Sequence, residues 1–132
     1  MFMLGVDIGT TNWKVVAYTP DGQSAARWSC PARTDRQASG WATYDPEAIW
    51  QAVCTGIREV LAQLQAAGHS AESIASVAVT SVGESGLLVD AAGEPLCPAI
   101  AWFDPRTQET NRFWTEQVGA EVVYNVTGFP PQ

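Results

Sequence analysis

The stretch from Leu4 to Val16 reads LGVDIGTTNWKVV, and the rest of the chain is interpreted outward from it. A short apolar run, Met3, Leu4, Val6 and Ile8, carries one carboxylate, Asp7. A Gly-Thr-Thr-Asn turn follows, and a second apolar run from Val15 to Tyr18 comes after it. This pattern predicts strand, turn, strand. Gly9 lets the backbone bend and approach a ligand closely. Thr10, Thr11 and Asn12 add small side-chain donors and open N–H groups, and Lys14 adds a positive charge where the second strand begins. Such a turn suits the terminal phosphates of a nucleotide, with Asp7 placed to hold a hydrated Mg2+. An ordinary hairpin, in which Asp7 only orders the turn, fits the same short pattern. Two features favour a ligand. Lys14 is the only lysine in the chain, and Asp7 interrupts an apolar strand, where a buried, unpaired carboxylate is costly. No Gly-Lys-Ser/Thr follows Gly9, so this is not a Walker loop, and the glycine spacing excludes a dinucleotide fingerprint.

The chain's 132 residues suffice for one domain with one core. An apolar share of 46% fits a folded globular chain and argues against disorder. A net charge of −7 without basic clusters argues against nucleic acid or an anionic membrane as partner. Cys30, Cys54 and Cys97 are far apart and form no zinc-ligand spacing, so reduced thiols in a cytoplasmic protein are expected. The N-terminus has no basic, then apolar, signal pattern, and no run approaches the ~20 apolar residues of a membrane span.

Along the chain, Pro20-Asp21-Gly22 predicts a turn and Ser24 to Cys30 a third strand, antiparallel to the second. Pro31 to Gly40 is polar and is expected to be loop. Asp45 is the expected N-cap of a helix with Pro46 at its first position. Its apolar face is Ile49, Trp50, Val53, Ile57, Val60, Leu61 and Leu64, and Gly68 ends it. Ile74 to Thr80 is expected to be a buried strand. Leu87–Val89 and Ala99–Trp102 are expected to pair around a turn at residues 90–95. Asp104 is placed to cap a helix running to about Gln117, and the tail from Gly119 is expected to be turn. Three antiparallel strands, a helix and a further strand match the start of a ribonuclease-H-like α/β unit.

Here the residues resemble a known family. VDIGTTNWKVV is similar to the first phosphate loop of the sugar-kinase, heat-shock and actin ATPase superfamily. Gly40-Trp41 through Asp45-Pro46 to Trp50 resembles the GW-x-x-x-DP-x-x-x-W segment of FGGY carbohydrate kinases. Residues 98–107, PAIAWFDPRT, resemble that family's P-A-I-x-W-x-D-x-R-T segment. The resemblance implies a ribonuclease-H-like, actin-like ATPase fold with a mixed sheet. It also implies that residues 1–132 are the N-terminal portion of a first lobe, the rest of that lobe and a second lobe lying elsewhere.

The resemblance further implies ATP and Mg2+ as cofactors and a small sugar, sugar acid or polyol as substrate. Asp7 would be the metal-side carboxylate, and Thr10, Thr11, Asn12 and Lys14 the phosphate loop. Residues 79–85 resemble the substrate loop, with Glu84 kept and Gly83 standing where the glycerol-kinase branch has Arg. The xylulokinase branch has Met-His there, which is absent too. Glu84 is either a ligand for vicinal hydroxyls or a solvated turn acid. Trp102 and Asp104 are further candidates for the substrate side, although Asp104 fits a helix cap equally. Trp41 fits a sugar face or a structural aromatic. The family's catalytic base and adenosine motif match nothing in this chain, so no catalytic residue is assigned and the isolated chain is expected to be inactive. A chaperone-type ATPase or a non-catalytic sugar-binding regulator on the same fold is the alternative. Uncovered sheet surface leads to an expectation of a homo-oligomer.

Overall fold

The computed structural model describes residues 1–83 and 85–131. The chain divides into two compact units, residues 1–35 with 43–102, and residues 36–42 with those from Phe103 onward.

The first unit is built on the hairpin read from the sequence. Strand β1 (Phe2–Ile8) runs antiparallel to β2 (Asn12–Tyr18), with Gly5 opposite Val16 and Asp7 opposite Lys14. Strand β3 (Ser24–Pro31) pairs antiparallel with β2, placing Val15 opposite Trp28. After a two-residue strand β4 (Asp35–Arg36) and β5 (Ala42–Tyr44) comes helix α1 (Pro46–Ala66). Its N-terminus forms as expected. The Asp45 carboxylate accepts from the N–H of Glu47 (2.9 Å) and of Ala48 (3.2 Å), and Pro46 needs no partner. Gly68, at φ +85°, turns the chain out of the helix. Strand β6 (Ile74–Ser81) then joins parallel to β1, giving the mixed order β3-β2-β1-β6. The three antiparallel strands and the fourth strand that the sequence predicts are thus in place.

Alternation sorts the side chains. Phe2, Leu4, Val6, Val15, Ala17 and Ala26 lie on one face and form the core with Val60 and Leu64 of α1. Trp50, expected on that helix face, is exposed instead. Strand β6 is also more open than its apolar sequence suggests: Val77 is 56% and Val79 65% exposed, because the helix covers β2 and β3 and does not reach this edge. At the opposite edge, α1 shields β3. The Gln63 side chain accepts from the Arg27 N–H (3.2 Å) and donates to the Arg27 carbonyl (3.0 Å), occupying the groups a foreign strand would use.

The later hairpin differs from expectation. Strand β7 (Ala99–Ile100) pairs with β5, Thr43 opposite Ile100 and Tyr44 opposite Ala99, and does not pair with Leu87–Val89. Around residues 90–95 the turn exists, closed by a Val89–Pro95 bridge and by the Asp90 carboxylate accepting from the N–H of Ala92 and Glu94. Asp90 makes that turn self-sufficient, which frees the segment after it for β5.

In the second unit, a 3₁₀ turn at Pro105–Thr107 leads into α2 (Gln108–Phe113), a π-type turn (Trp114–Gly119) and α3 (Ala120–Thr127). The tail expected as turn is therefore helical until Gly128, at φ +77°, stops it. Val122, Val123 and Val126 recur at helical spacing there, and that outweighs their β-branched preference. Among the described residues, no helix is long and apolar enough to cross a membrane.

Gly56 sets the depth at which α1 lies on the sheet. A Cβ there would stand 2.5 Å from Cε3 of Trp28 and 2.6 Å from Cγ2 of Val15. Ala in a helix gains up to about 1 kcal/mol over Gly. Overpacking a rigid indole costs about 1–3 kcal/mol. The Gly56→Ala variant is expected to be less stable, with a lower urea midpoint at unchanged slope; a raised midpoint would show that the helix can lift freely.

Candidate functional site

The alternation that buries Val6 and Val15 sends Asp7 and Lys14 to the other face of the sheet. There Lys14 Nζ donates to Asp7 Oδ2 at 3.2 Å, and the Asp7 side chain keeps 43% of its surface exposed. Trp13, next to Lys14, is buried on the α1 side and leaves the turn clear. A shallow concavity of about 380 Å³ lies on the Asp7 face, lined by Gly5, Asp7, Lys14, Tyr18 and Thr80 among others.

The turn itself is tight. A Cβ at Gly9 would stand 3.0 Å from the Asn12 carbonyl and 3.6 Å from Asp7 Oδ1, so a side chain there would crowd both backbone and carboxylate. The Thr11 carbonyl accepts from the Ala32 N–H (3.0 Å) and the Ile8 carbonyl from the Val82 N–H (3.1 Å), pinning the turn from both sides. Among the described residues the N–H groups of Thr10 and Thr11 have no backbone partner, and both residues are exposed. A carboxylate and an ammonium group thus meet at the end of the sheet next to the turn, while Thr10, Thr11 and Asn12 lie outside the lining of the concavity. That end of the sheet is the carboxyl end of the parallel strands β1 and β6, where ligands of open α/β sheets bind. Asp7 lies opposite Thr80 there. For Tyr18 the two-residue spacing from Lys14 along β2 is the sequence signal, whereas Thr80 joins the site only through the pairing of β6 with β1.

The substrate-loop candidates begin directly after β6. Gly83 is exposed, and a side chain built on it would meet nothing within 4 Å. Glu84 lies outside the described residues. Trp102 stands in the first unit, just beyond β7, with 47% of its surface exposed.

Asp104 belongs to the second unit and is 1% exposed. Its Oδ1 accepts from Arg106 Nε (2.8 Å) and the Arg106 N–H (2.8 Å), and its Oδ2 from Arg106 NH2 (2.9 Å) and the Ala42 N–H (2.6 Å). The Arg106 guanidinium lies 4.4 Å above the Trp41 ring. Trp41 and Asp104, taken from two separate motifs, therefore meet through Arg106, which stands in the second motif without an assigned role. The Asp-x-Arg spacing after a proline-initiated turn was its signal. Hydrogen bonds from the Arg106 side chain hold the Asp104 carboxyl well below the usual carboxylate range, against burial, with the Ala42 and Arg106 N–H groups adding to the effect.

Sheet order, parallel fourth strand and turn define the class of the chain: it is a ribonuclease-H-like α/β unit of the actin-like ATPase type. The chain as a whole matches the FGGY family of carbohydrate kinases, N-terminal domain, over residues 2–132, and it belongs to that family. It is 34% identical over 128 residues to a glycerol kinase of Methylibium petroleiphilum, covering 96% of this chain and 25% of that protein. It is 40% identical over 106 residues to a glycerol kinase of Gloeobacter violaceus, covering 80% and 20% respectively. A gluconate kinase structure from Lactobacillus acidophilus superposes with a TM-score of 0.82 at 25% identity, over 99% of this chain and 25% of that one. The chain thus spans about a quarter of the length of the relatives it matches.

The Asp104 cluster has a pH consequence. A carboxyl whose folded value lies below its unfolded one stabilises fully above the unfolded value, near ~4, and loses that contribution as pH falls further. Residues around Trp41 and Arg106 are expected to loosen below about pH 4 and to be unaffected between about pH 5 and 8. The Arg106 Nε–H resonance followed by NMR checks this; a resonance that persists unchanged into strong acid contradicts it.

Proposed function

We propose that the protein carrying this chain transfers the terminal phosphoryl group of ATP to a hydroxyl of a sugar, sugar acid or polyol. The chain supplies the phosphate and metal end of that site. The observation that supports this reading is the Asp7–Lys14 pair beside free turn amides, at the carboxyl end of β1 and β6. The residues fit the cofactor: an exposed carboxylate for Mg2+, and Thr10, Thr11, Asn12 and Lys14 for phosphate oxygens. When bound, Mg2+ would neutralise charge on the phosphates. The turn orients the phosphate tail, and Lys14, already balanced by Asp7, can turn its charge to an incoming anion. Phosphoryl transfer needs mostly such positioning and charge neutralisation.

Within the first unit, Gly83, Glu84 and Trp102 are the residues put forward for the substrate side. Open space at Gly83 supports a substrate held without the arginine that the glycerol-kinase branch carries there. Relatives named glycerol kinase and gluconate kinase support a polyol or sugar-acid acceptor. Asp104, saturated by Arg106 and Ala42, contributes by holding residues 104–107 in place. None of the described residues is assigned as the base that deprotonates the acceptor.

In the full-length protein, Asp7→Asn is expected to lower kcat by about 10²–10³-fold with a smaller change in KM for the sugar. Radiolabelled ATP turnover against pentuloses, hexuloses, polyols and aldonates provides the measurement. Unchanged kcat in the variant, or absence of turnover with every acceptor in the wild type, would sink the assignment in favour of a non-catalytic sugar-binding role. The isolated chain is expected to show no turnover.

Exposed Val77 and Val79 on β6 support association of the isolated chain with itself. Light scattering at rising concentration is expected to show more than the monomer mass, and Val79→Lys to restore the monomer.

A further inference from the structure

On the α1 side of the sheet, behind the face that carries Asp7 and Lys14, a groove of about 450 Å³ lies between the helix and strands β2 and β3. Trp13 and Trp28 come to it from the sheet, Gln51 and Thr55 from the helix, and Cys30 and Arg33 from the end of β3 and the loop beyond. We infer that this groove binds a small planar aromatic carboxylate, its ring against the Trp28 indole with Trp13 as the groove floor, and its carboxylate on Arg33. The site is independent of the phosphate turn.

Charge carries the argument first. The chain has 14 acids against 7 bases, yet no acid lines this groove. Among the described residues the Arg33 guanidinium makes no ion pair or hydrogen bond. Burial pushes the Cys30 thiol up, with Arg33 opposing, so it adds no negative charge at neutral pH. A single unopposed guanidinium at the end of an aromatic slot selects an anion with an apolar body.

Rigidity comes next. Trp13 is buried, and Trp28 is held where Gly56 brings the helix backbone within van der Waals reach of its ring. The aromatic surface is therefore formed before any ligand arrives, which lowers the entropic cost of binding. Acceptors are also available. The Gln51 Nε2 donates to Glu47 Oε1 (2.7 Å) and the Thr55 hydroxyl to the Gln51 carbonyl (2.8 Å), leaving the Gln51 Oε1 and the Thr55 oxygen to accept from a ring N–H. The volume falls in the range of roughly 300–1,000 Å³ typical of small-molecule sites.

The probe is indole-3-acetate, titrated into the chain by calorimetry and followed by NMR. A Kd on the order of 0.1–1 mM is expected, as the ligand's size allows. Arg33→Gln, or indole-3-acetamide in place of the acid, is expected to weaken binding about tenfold or more. Thr55→Trp, which fills the groove from an exposed helix position, is expected to abolish it. Circular dichroism checks that both variants fold; neither replaces a buried residue. Absence of binding by the wild type up to about 10 mM, or an affinity unchanged in either variant, overturns the inference.

Discussion

Helix α1 lies deep on its sheet because residue 56 has no side chain. The indole of Trp28 and the methyl of Val15 occupy the space a Cβ would need. Once the helix is seated there, one face of β1, β2 and β3 is committed to the core, and the two-residue period of a strand commits the other face to the outside. A shift of β2 by one residue against β1 would bury Lys14 and expel Val15. Packing on one side of the sheet thus fixes the address of the charged pair on the other. The site exists because the core leaves no alternative register.

The same logic explains the two edges. Strand β3 lies under the helix and has its free backbone groups at Arg27 taken by Gln63. Strand β6 lies outside the helix's reach, so its valines stay exposed. Hydrophobicity alone would favour covering IASVAVTS of β6 over SAARWSCP of β3. What separates them is how wide a sheet one 21-residue helix can cover.

Local signals in the sequence are those the structure repeats most closely. Alternation around Asp7 and Lys14, the Asp45-Pro46 cap and Gly68 each depend on neighbours a few residues away, and all are in place. Pairings between distant segments are less legible. Ala99–Ile100 and Leu87–Val89 make an equally good hairpin on paper, and nothing near them names Thr43–Tyr44 as the partner. Strand β6 was read as buried because periodicity reports an element's type and says nothing of what covers it. Asp104 was legible as a cap, but its Arg106 and Ala42 partners were not, since one follows directly on a proline that already marks the turn and the other lies on a remote segment. The tail helix was hidden by its β-branched residues, whose spacing mattered more than their type. Within the candidate site, the turn could be read almost entirely, whereas Thr80 became visible only through the parallel pairing of β6 with β1.

For the phosphate site proposed above, an acidic chain poses an electrostatic difficulty, and the groups at the turn would answer it locally. With a net charge of −7, the mean field repels an anion. At physiological ionic strength, however, charges more than about 8 Å away are largely screened, so the groups at the turn decide the outcome. There Asp7 and Lys14 cancel, and the unpaired amides of Thr10 and Thr11 add partial positive charge. A metal ion on Asp7 would release Lys14 from its partner and turn a neutral pair into two cationic groups beside the phosphates. Placing the chain's single lysine directly across from the proposed metal-side acid would therefore hold this side-chain pair neutral on its own and strengthen its pull on phosphates when a cation arrives with them.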